Sequence, residues 1–284
     1  MTSIHSRLAE LITEHYVFPD VAEQIVARID PVRTGSVPES DHERLAAALT
    51  EQIQSVNNDR HLRVRYRASG AIEAPVDWAA HYAAETVRYS GGVRTVRRID
   101  EHTGLLDVAP YTPPVDLAEP YLRAAFTLLS GVDRLVIDVR DGRGGTPETI
   151  AFICGYLLGD EPVHLQDIVE RSGSARQFWT SPAAGRLGGS VAICVLTSEG
   201  TFSSCEELAY NLQALGRATV VGRRTGGGAH PVNVFTLTDR LEVTVPVARS
   251  VNAVTGTNWE GTGVLPDIDC DAGSALDRAL AHLG

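Results

Sequence analysis

Two apolar runs set the architecture of most of this chain. Leu135-Val136-Ile137 leads into the polar loop Asp141-Gly142-Arg143-Gly144-Gly145, and from Pro147 to Leu158 the sequence reads as a helix with proline in its first turn. The same unit then recurs: strand Val191 to Leu196, loop Thr197 to Ser203, helix Ser204 to Leu215, strand Ala218 to Val221. Short, wholly apolar strands that alternate with helices predict a mixed α/β core. Val232 to Leu237 and Leu241 to Val247, separated by Thr238-Asp239-Arg240, predict a hairpin.

The first fifty residues follow a different period. Leu8, Leu11, Ile12 and Tyr16, then Val21, Ile25 and Ile29, recur at spacings of three and four, as on amphipathic helices. Phe18-Pro19-Asp20 separates the first two helices, because proline disfavours helix in the residue before it and Asp20 can cap the next. A third helix is predicted over 43–53. Alternation at Leu62, Val64 and Tyr66 then predicts a strand. The expected organisation is a small N-terminal helical domain over 1–57 and an α/β core over 58–284. The 284-residue length is ample for both.

All 25 basic residues are arginine; the chain has no lysine. Schiff-base chemistry, a Ser/Lys dyad and a phosphate-loop lysine are thereby excluded. The net charge of −11 disfavours a phosphate-backbone binder, so nucleic acid is not an expected partner. No run approaches the ~18 apolar residues of a membrane span, and the opening residues lack the apolar stretch of an export signal, so no membrane association and a cytoplasmic location are expected. Cys154, Cys194, Cys205 and Cys270 show no metal-ligand spacing and read as reduced thiols, most of them buried.

Few groups remain for chemistry. Thr201-Phe202-Ser203-Ser204-Cys205-Glu206 opens a helix, and Ser203 with Glu206 three residues on forms a capping-box pattern. The same position also places a serine beside free N–H groups that could stabilise an oxyanion. Gly144-Gly145 is either an ordinary turn or a backbone that lets an amide approach a reacting carbonyl. The run Gly226-Gly227-Gly228 leads into Ala229-His230-Pro231 rather than a helix, so a dinucleotide reading fails. Of the nine histidines, His61 and His230 adjoin backbone irregularities; Glu260, beside Trp259 and Gly261, is either a turn residue or a working carboxylate.

Taken together, VIDVRDGRGG (136–145), VLTSEGTFSSCE (195–206), VGRRTGGGAHP (221–231) and WEGTGVLPDI (259–268) resemble the tail-specific, or C-terminal processing, protease family. The opening EHYVFPDVAEQI and NDRHLRV extend the likeness to nearly the whole chain, closest to the branch with interphotoreceptor retinoid-binding protein modules and, more remotely, the tricorn core protease. The resemblance implies a crotonase/Clp-like core of repeated β-β-α units forming a sandwich. It implies Ser203 as nucleophile, His61 as base, Glu260 as supporting carboxylate, and the amides of Gly144 and Ser204 as oxyanion donors, with no metal or cofactor. Many relatives carry a catalytic lysine about where Gly228 lies, which this chain cannot supply. It also departs from the family pattern at Gly142, where asparagine is common, at Arg60, where the tricorn branch has serine, and at Ser204-Cys205, where small apolar residues are common. The interval from His61 to Leu135 shows no evident PDZ domain.

The expected function is a serine peptidase or related amide hydrolase working through an acyl-enzyme on a peptide or small acyl or amide substrate. A catalytically inactive binder of small apolar ligands and an acyl hydrolase on a small pathway-specific substrate are the alternatives. His230, Ser204 and Cys205 are the rival participants. A histidine base predicts an acid limb near the ordinary imidazole range of ~6–7. Homo-oligomers are common in the superfold that the resemblance implies.

Overall fold

A computed structural model describes residues 3–35, 37, 38, 40–68, 70, 78–181 and 185–284. In chain order the elements begin with helices α1 (Ile4–His15), α2 (Pro19–Val26), α3 (Pro31–Thr34) and α4 (His42–Gln54), then strand β1 (Arg63–Tyr66) and helix α5 (Trp78–Arg88). Strands β2 (Val93–Arg98) and β3 (Thr103–Val108), helix α6 (Val115–Leu128), strand β4 (Arg134–Asp138) and helix α7 (Pro147–Leu157) follow. Next come β5 (His164–Glu170), β6 (Ala175–Trp179), β7 (Ala192–Thr197), α8 (Ser204–Ala214), β8 (Thr219–Gly222), β9 (Val232–Thr236), β10 (Leu241–Pro246), β11 (Ala248–Asn252), β12 (Ile268–Asp269) and α9 (Ala275–Leu283).

The chain folds as two compact units. One comprises Met1–Val76, Ile168–Arg176 and His230–Ser250; the other comprises Asp77–Asp167, Gln177–Ala229 and Val251–Gly284. In the first, the apolar faces of α1, α2 and α4 bury Leu8, Leu11, Ile12, Ile25, Leu49 and Ile53 against Leu62 and Val64 and against Leu241, Val243 and Val245 of β10. The predicted hairpin is present as β9 and β10, with Val243 opposite Phe235, and β1 pairs antiparallel with the other edge of β10. The helical stretch therefore shares its core with strands from a segment some 180 residues later in the sequence. At the start of α2, Asp20 is not the cap: Pro19 takes the first helical position after Phe18, and Asp20 lies in the first turn, where its charge faces the positive helix end.

The second unit is built on a six-stranded sheet of order β12-β8-β7-β4-β3-β2, parallel except where β2 pairs antiparallel with β3. Residue alternation divides its two faces. Leu106, Leu135, Ile137, Ile193, Val195 and Val220 join the cluster that contains residues of α6, α7 and α8. Leu105, Val136, Cys194, Leu196 and Val221 point the other way and pack with Ala275 and Ala279 of α9. Covering both faces explains why consecutive central residues of these strands, such as Leu135-Val136-Ile137, are apolar, and it leaves the loops after β3, β4 and β7 along one edge of the sheet, where parallel strands all end. Strands β5, β6 and β11 form a further sheet of order β11-β5-β6.

Leu106 is fully buried in the larger cluster, whereas Leu128, at the end of α6, is 63% exposed. Leu106→Ala is expected to lower unfolding free energy by about 2–5 kcal/mol in a urea titration, and Leu128→Ala to change it by less than about 0.5 kcal/mol.

Candidate functional site

Strand β7 ends at Thr197, and six residues later the chain turns into α8 at Ser203. Ser203 has φ 54° and ψ −129°, a backbone conformation that costs a side-chain-bearing residue about 1–3 kcal/mol and needs its surroundings to hold it. An ordinary helix cap sits in extended backbone without such strain. What holds Ser203 is Glu206. Its carboxylate accepts the Ser203 N–H at 2.8 Å, the Thr225 hydroxyl at 2.5 Å, and the N–H groups of Gly227 and Gly228 at 2.7 and 2.9 Å.

Glu206 is fully buried, and burial pushes its carboxyl up to about 7 while the four donors pull it down. Each oxygen already takes two donors, so a proton on either would displace one. The anion is the form that fits the site. The glycine run thus receives a carboxylate on its amides where a nucleotide reading would have put phosphate.

The loop after β4 lies against Ser203. Gly144 has φ 134°, and a Cβ there would stand 3.0 Å from Ser203 Cβ and 3.3 Å from Oγ, so only glycine allows the approach. Thr112, from the loop after β3, fixes this segment: its N–H donates to Gly144 O at 2.8 Å and its carbonyl accepts the Thr146 N–H at 3.0 Å. Gly142 and Cys205 are matched to one another, since a Cβ on Gly142 would meet Cys205 Sγ at 2.6 Å and Cβ at 2.8 Å. Position 142 therefore accepts no side chain while any side chain stands at 205.

The rival nucleophiles next to Ser203 are committed elsewhere. Ser204 donates its hydroxyl to Gly145 O at 2.9 Å. Cys205 is buried, its thiol pushed up to about 12 by burial, so no thiolate forms at neutral pH. As the first residue of α8, Ser204 contributes an N–H that the helix itself does not use.

Glu260 belongs to the same unit. Its Oε2 accepts the Ala229 N–H at 2.5 Å, and its own N–H donates to Asn258 Oδ1 at 2.9 Å. Trp259 Nε1 donates to Gly228 O at 2.9 Å, and the Gly261 N–H donates to Gly227 O at 2.9 Å. One three-residue stretch, 227–229, thus binds Glu206 through two amides and Glu260 through the third. Ser203, Ser204 and Gly144 are brought together, with Glu260 tied to the loop that Glu206 anchors.

His61 lies in the other unit, just before β1. Its N–H donates to Asp59 Oδ1 at 3.1 Å, an Asx-turn. Burial lowers its imidazole to about 4, with Asp59 acting in the opposite sense. His61 is therefore neutral at pH 7, the form that accepts a proton. The expected acid limb at ~6–7 has to move, because that range belongs to a solvated imidazole. His230, also in this unit, is 5% exposed and shares a 2.8 Å hydrogen bond with the fully buried Asp59. The sequence singled out His230 without a role, placed Tyr16 only on the apolar face of the first helix, and gave Asp59 no function. Glu206 was visible only as a possible capping partner.

Comparison with known proteins adds an independent line. The sequence model described as "Peptidase family S41" matches residues 103–270, and "N-terminal domain of Peptidase_S41 in eukaryotic IRBP" matches residues 1–87. The carboxyl-terminal-processing peptidase 2, chloroplastic, of Arabidopsis thaliana is 32% identical over 153 residues, 53% of this chain and 29% of that protein. The chain spans under a third of the length of the curated relatives it matches. Among solved structures, the photosystem II D1 C-terminal processing protease aligns with TM-score 0.59 at 17% identity, over 99% of this chain and 96% of that one. Tricorn protease aligns with TM-score 0.60 at 14% identity, over 98% of this chain and 35% of that one. These two likenesses are of fold.

Glu206→Gln keeps the shape but replaces a four-donor acceptor with an amide whose NH2 faces N–H groups. It is expected to cost about 2–4 kcal/mol by urea titration at pH 7. Glu207, one turn along α8 from Ser203 and buried beside Gln166, behaves differently: burial pushes its carboxyl up to about 8. A carboxyl raised on folding contributes stability that is full below its unfolded value near 4.5 and is lost as pH rises through the folded one. Glu207→Gln is therefore expected to stabilise the protein by on the order of 3 kcal/mol at pH 8 and by little at pH 5. Equal gains at both pH values would show that Glu207 does not titrate in this range.

Proposed function

Because the chain belongs to peptidase family S41, we propose that it is a serine peptidase, or an amide hydrolase of that type, acting on peptides or small acyl or amide substrates with Ser203 as nucleophile, His61 as base and Glu260 as supporting carboxylate. The observation that carries this reading is the backbone of Ser203. Ser203 and Glu206 form the capping box, and a strained serine between a strand and a helix N-terminus, held by a dedicated buried carboxylate and touched by a positive-φ glycine, has in addition the attributes of an activated nucleophile. On the same reading the core is the crotonase/Clp type of repeated β-β-α sandwich, of which β2-β3-α6 is one unit.

Mechanistically, Ser203 Oγ attacks the scissile carbonyl as its proton passes to His61. Charge collecting on the carbonyl oxygen is stabilised by the N–H groups of Gly144 and Ser204. The C–N bond breaks as His61 returns the proton to the leaving amine, and water then repeats the sequence on the acyl-enzyme. A lysine base is unavailable to this chain. The position corresponding to that lysine is Gly228, whose N–H serves Glu206 instead.

Binding of an apolar ligand without catalysis finds less support. A cavity of about 420 Å³ in the sheet-bearing unit has Arg88, Arg94 and Asp141 in its wall beside Tyr89 and Pro110, a lining too charged for an apolar guest.

A fluorophosphonate probe tests the proposal. Intact mass should show one adduct, and fragmentation of the tryptic peptide 187–217, cut only at arginine, should place it on Ser203. Labelling should vanish in Ser203→Ala and fall at least about 100-fold in His61→Ala, and in the wild-type protein it should fall along an acid limb below pH 5, in keeping with the buried imidazole. An adduct on Ser204 or Cys205, or a wild-type labelling rate in His61→Ala, would remove the corresponding residue from the mechanism.

A further inference from the structure

The most heavily bonded carboxylate in the N-terminal unit is Asp59, which lies two residues before His61 and is fully buried. Its Oδ2 accepts the Tyr16 hydroxyl at 2.8 Å and His230 Nδ1–H at 2.8 Å; its Oδ1 accepts the His61 N–H at 3.1 Å. Tyr16 is itself held, its hydroxyl accepting from Asn57 Nδ2 at 2.7 Å. These partners are far apart in the sequence: Tyr16 closes α1, Asp59 precedes β1, and His230 precedes β9. A buried acid without donors would take up a proton. Here three donors and the neighbouring imidazoles bring Asp59 below the usual carboxylate range in spite of burial.

A purely structural Asp–His pair has no need to share its carboxylate with the backbone of a second histidine. Asp59 does so by an Asx-turn, which sets where the His61 ring leaves the chain. Within this unit the charged groups that act on His61 are Asp59, His230, and Arg63 and Arg65 of β1. On the adjoining strand β10, Glu242 is salt-bridged to Arg67. Among these groups of the unit, Asp59 is the one that favours the protonated form of His61.

We propose that Asp59, clamped by Tyr16 and His230, is a positioning carboxylate for His61, fixing its backbone and supplying the negative charge that favours the imidazolium formed during catalysis. This rests on the reading of His61 as the base. His230 then holds Asp59 ionised from inside the fold and is a positioning residue at one further remove. The arrangement also accounts for the conjunction of a base buried enough to be neutral at rest with the need for it to carry charge in the transition state.

The test is Asp59→Asn, whose amide oxygen can still accept the Asx-turn bond while the charge is gone. Two readouts are taken on full-length protein: the pH dependence of fluorophosphonate labelling at Ser203, and the imidazole titration of His61 by NMR with 13C-labelled histidine. Expected are a plateau labelling rate lower by about tenfold or more and a His61 midpoint at or below the wild-type one. A merely structural role predicts the opposite shift, since loosening would let water reach His61 and raise its midpoint toward 6.5. A raised midpoint, or an unchanged plateau rate, overturns the proposal.

If Asp59→Asn does not fold, Tyr16→Phe, which removes one donor and keeps the charge, should lower the plateau about two- to fivefold; an unchanged rate there also overturns it. Absence of labelling in the wild-type protein sinks the peptidase reading alone, and the NMR midpoint then decides this one.

Discussion

Glu206 organises the loops around Ser203. A single buried anion collects the amide of the strained serine, a threonine hydroxyl and two glycine amides, so the loop after β7 and the loop after β8 cannot move independently. Hydrogen bonds to a charged acceptor contribute about 1.5–3 kcal/mol each; together they offset part of the cost of burying the carboxylate and help hold the strained backbone of Ser203. The sequence places Glu206 where a capping residue belongs. Its function in the fold is larger, because three of the four donors it collects come from about twenty residues further on, and two of those are backbone amides that carry no side-chain signature.

That contrast explains what could be read in advance. Buried strands such as Leu135 to Ile137 and Val191 to Leu196 declare themselves because covering both faces of a parallel sheet requires consecutive apolar residues, and helices such as α7 and α8 begin at recognisable proline and serine signals. The hairpin β9–β10 was equally plain from its turn. Its partners were not. Val243 and Val245 pack with Leu8 and Ile12, and nothing local in a β-hairpin specifies which distant surface its apolar face will cover. Asp20 shows a smaller limit of local reading: capping by aspartate and initiation by proline compete over the same three residues, and the fixed φ of Pro19 takes the first helical position.

At the site, the family motifs named Ser203, Gly144 and Glu260, and the geometry shows what their neighbours do. Gly142 is required because a Cβ there would collide with the side chain of Cys205. Asp59 and Tyr16 were illegible for a different reason. A carboxylate next to an arginine in a polar turn resembles any solvated turn residue, and only the return of His230 from 171 residues away removes it from water. Burial is a property of the tertiary fold, and it converts an ordinary aspartate into an anion that must be satisfied from several directions at once.

The absence of lysine gives these details their weight. A catalytic ammonium must be stripped of its proton to act as a base, and burial alone can do that by penalising its charge. An imidazole begins closer to neutrality, so burial carries it further than the task requires: His61 at about 4 is reliably neutral at rest but a weak proton acceptor. A histidine-based site at this depth therefore needs negative charge near the ring to recover proton affinity as the reaction proceeds. The fold places an ionised aspartate two residues away and surrounds it with the donors needed to keep it ionised. On the proposed reading, a histidine base in place of lysine moves the electrostatic demand from expelling a proton to retaining one, and the ionised Asp59 beside His61 fits that demand.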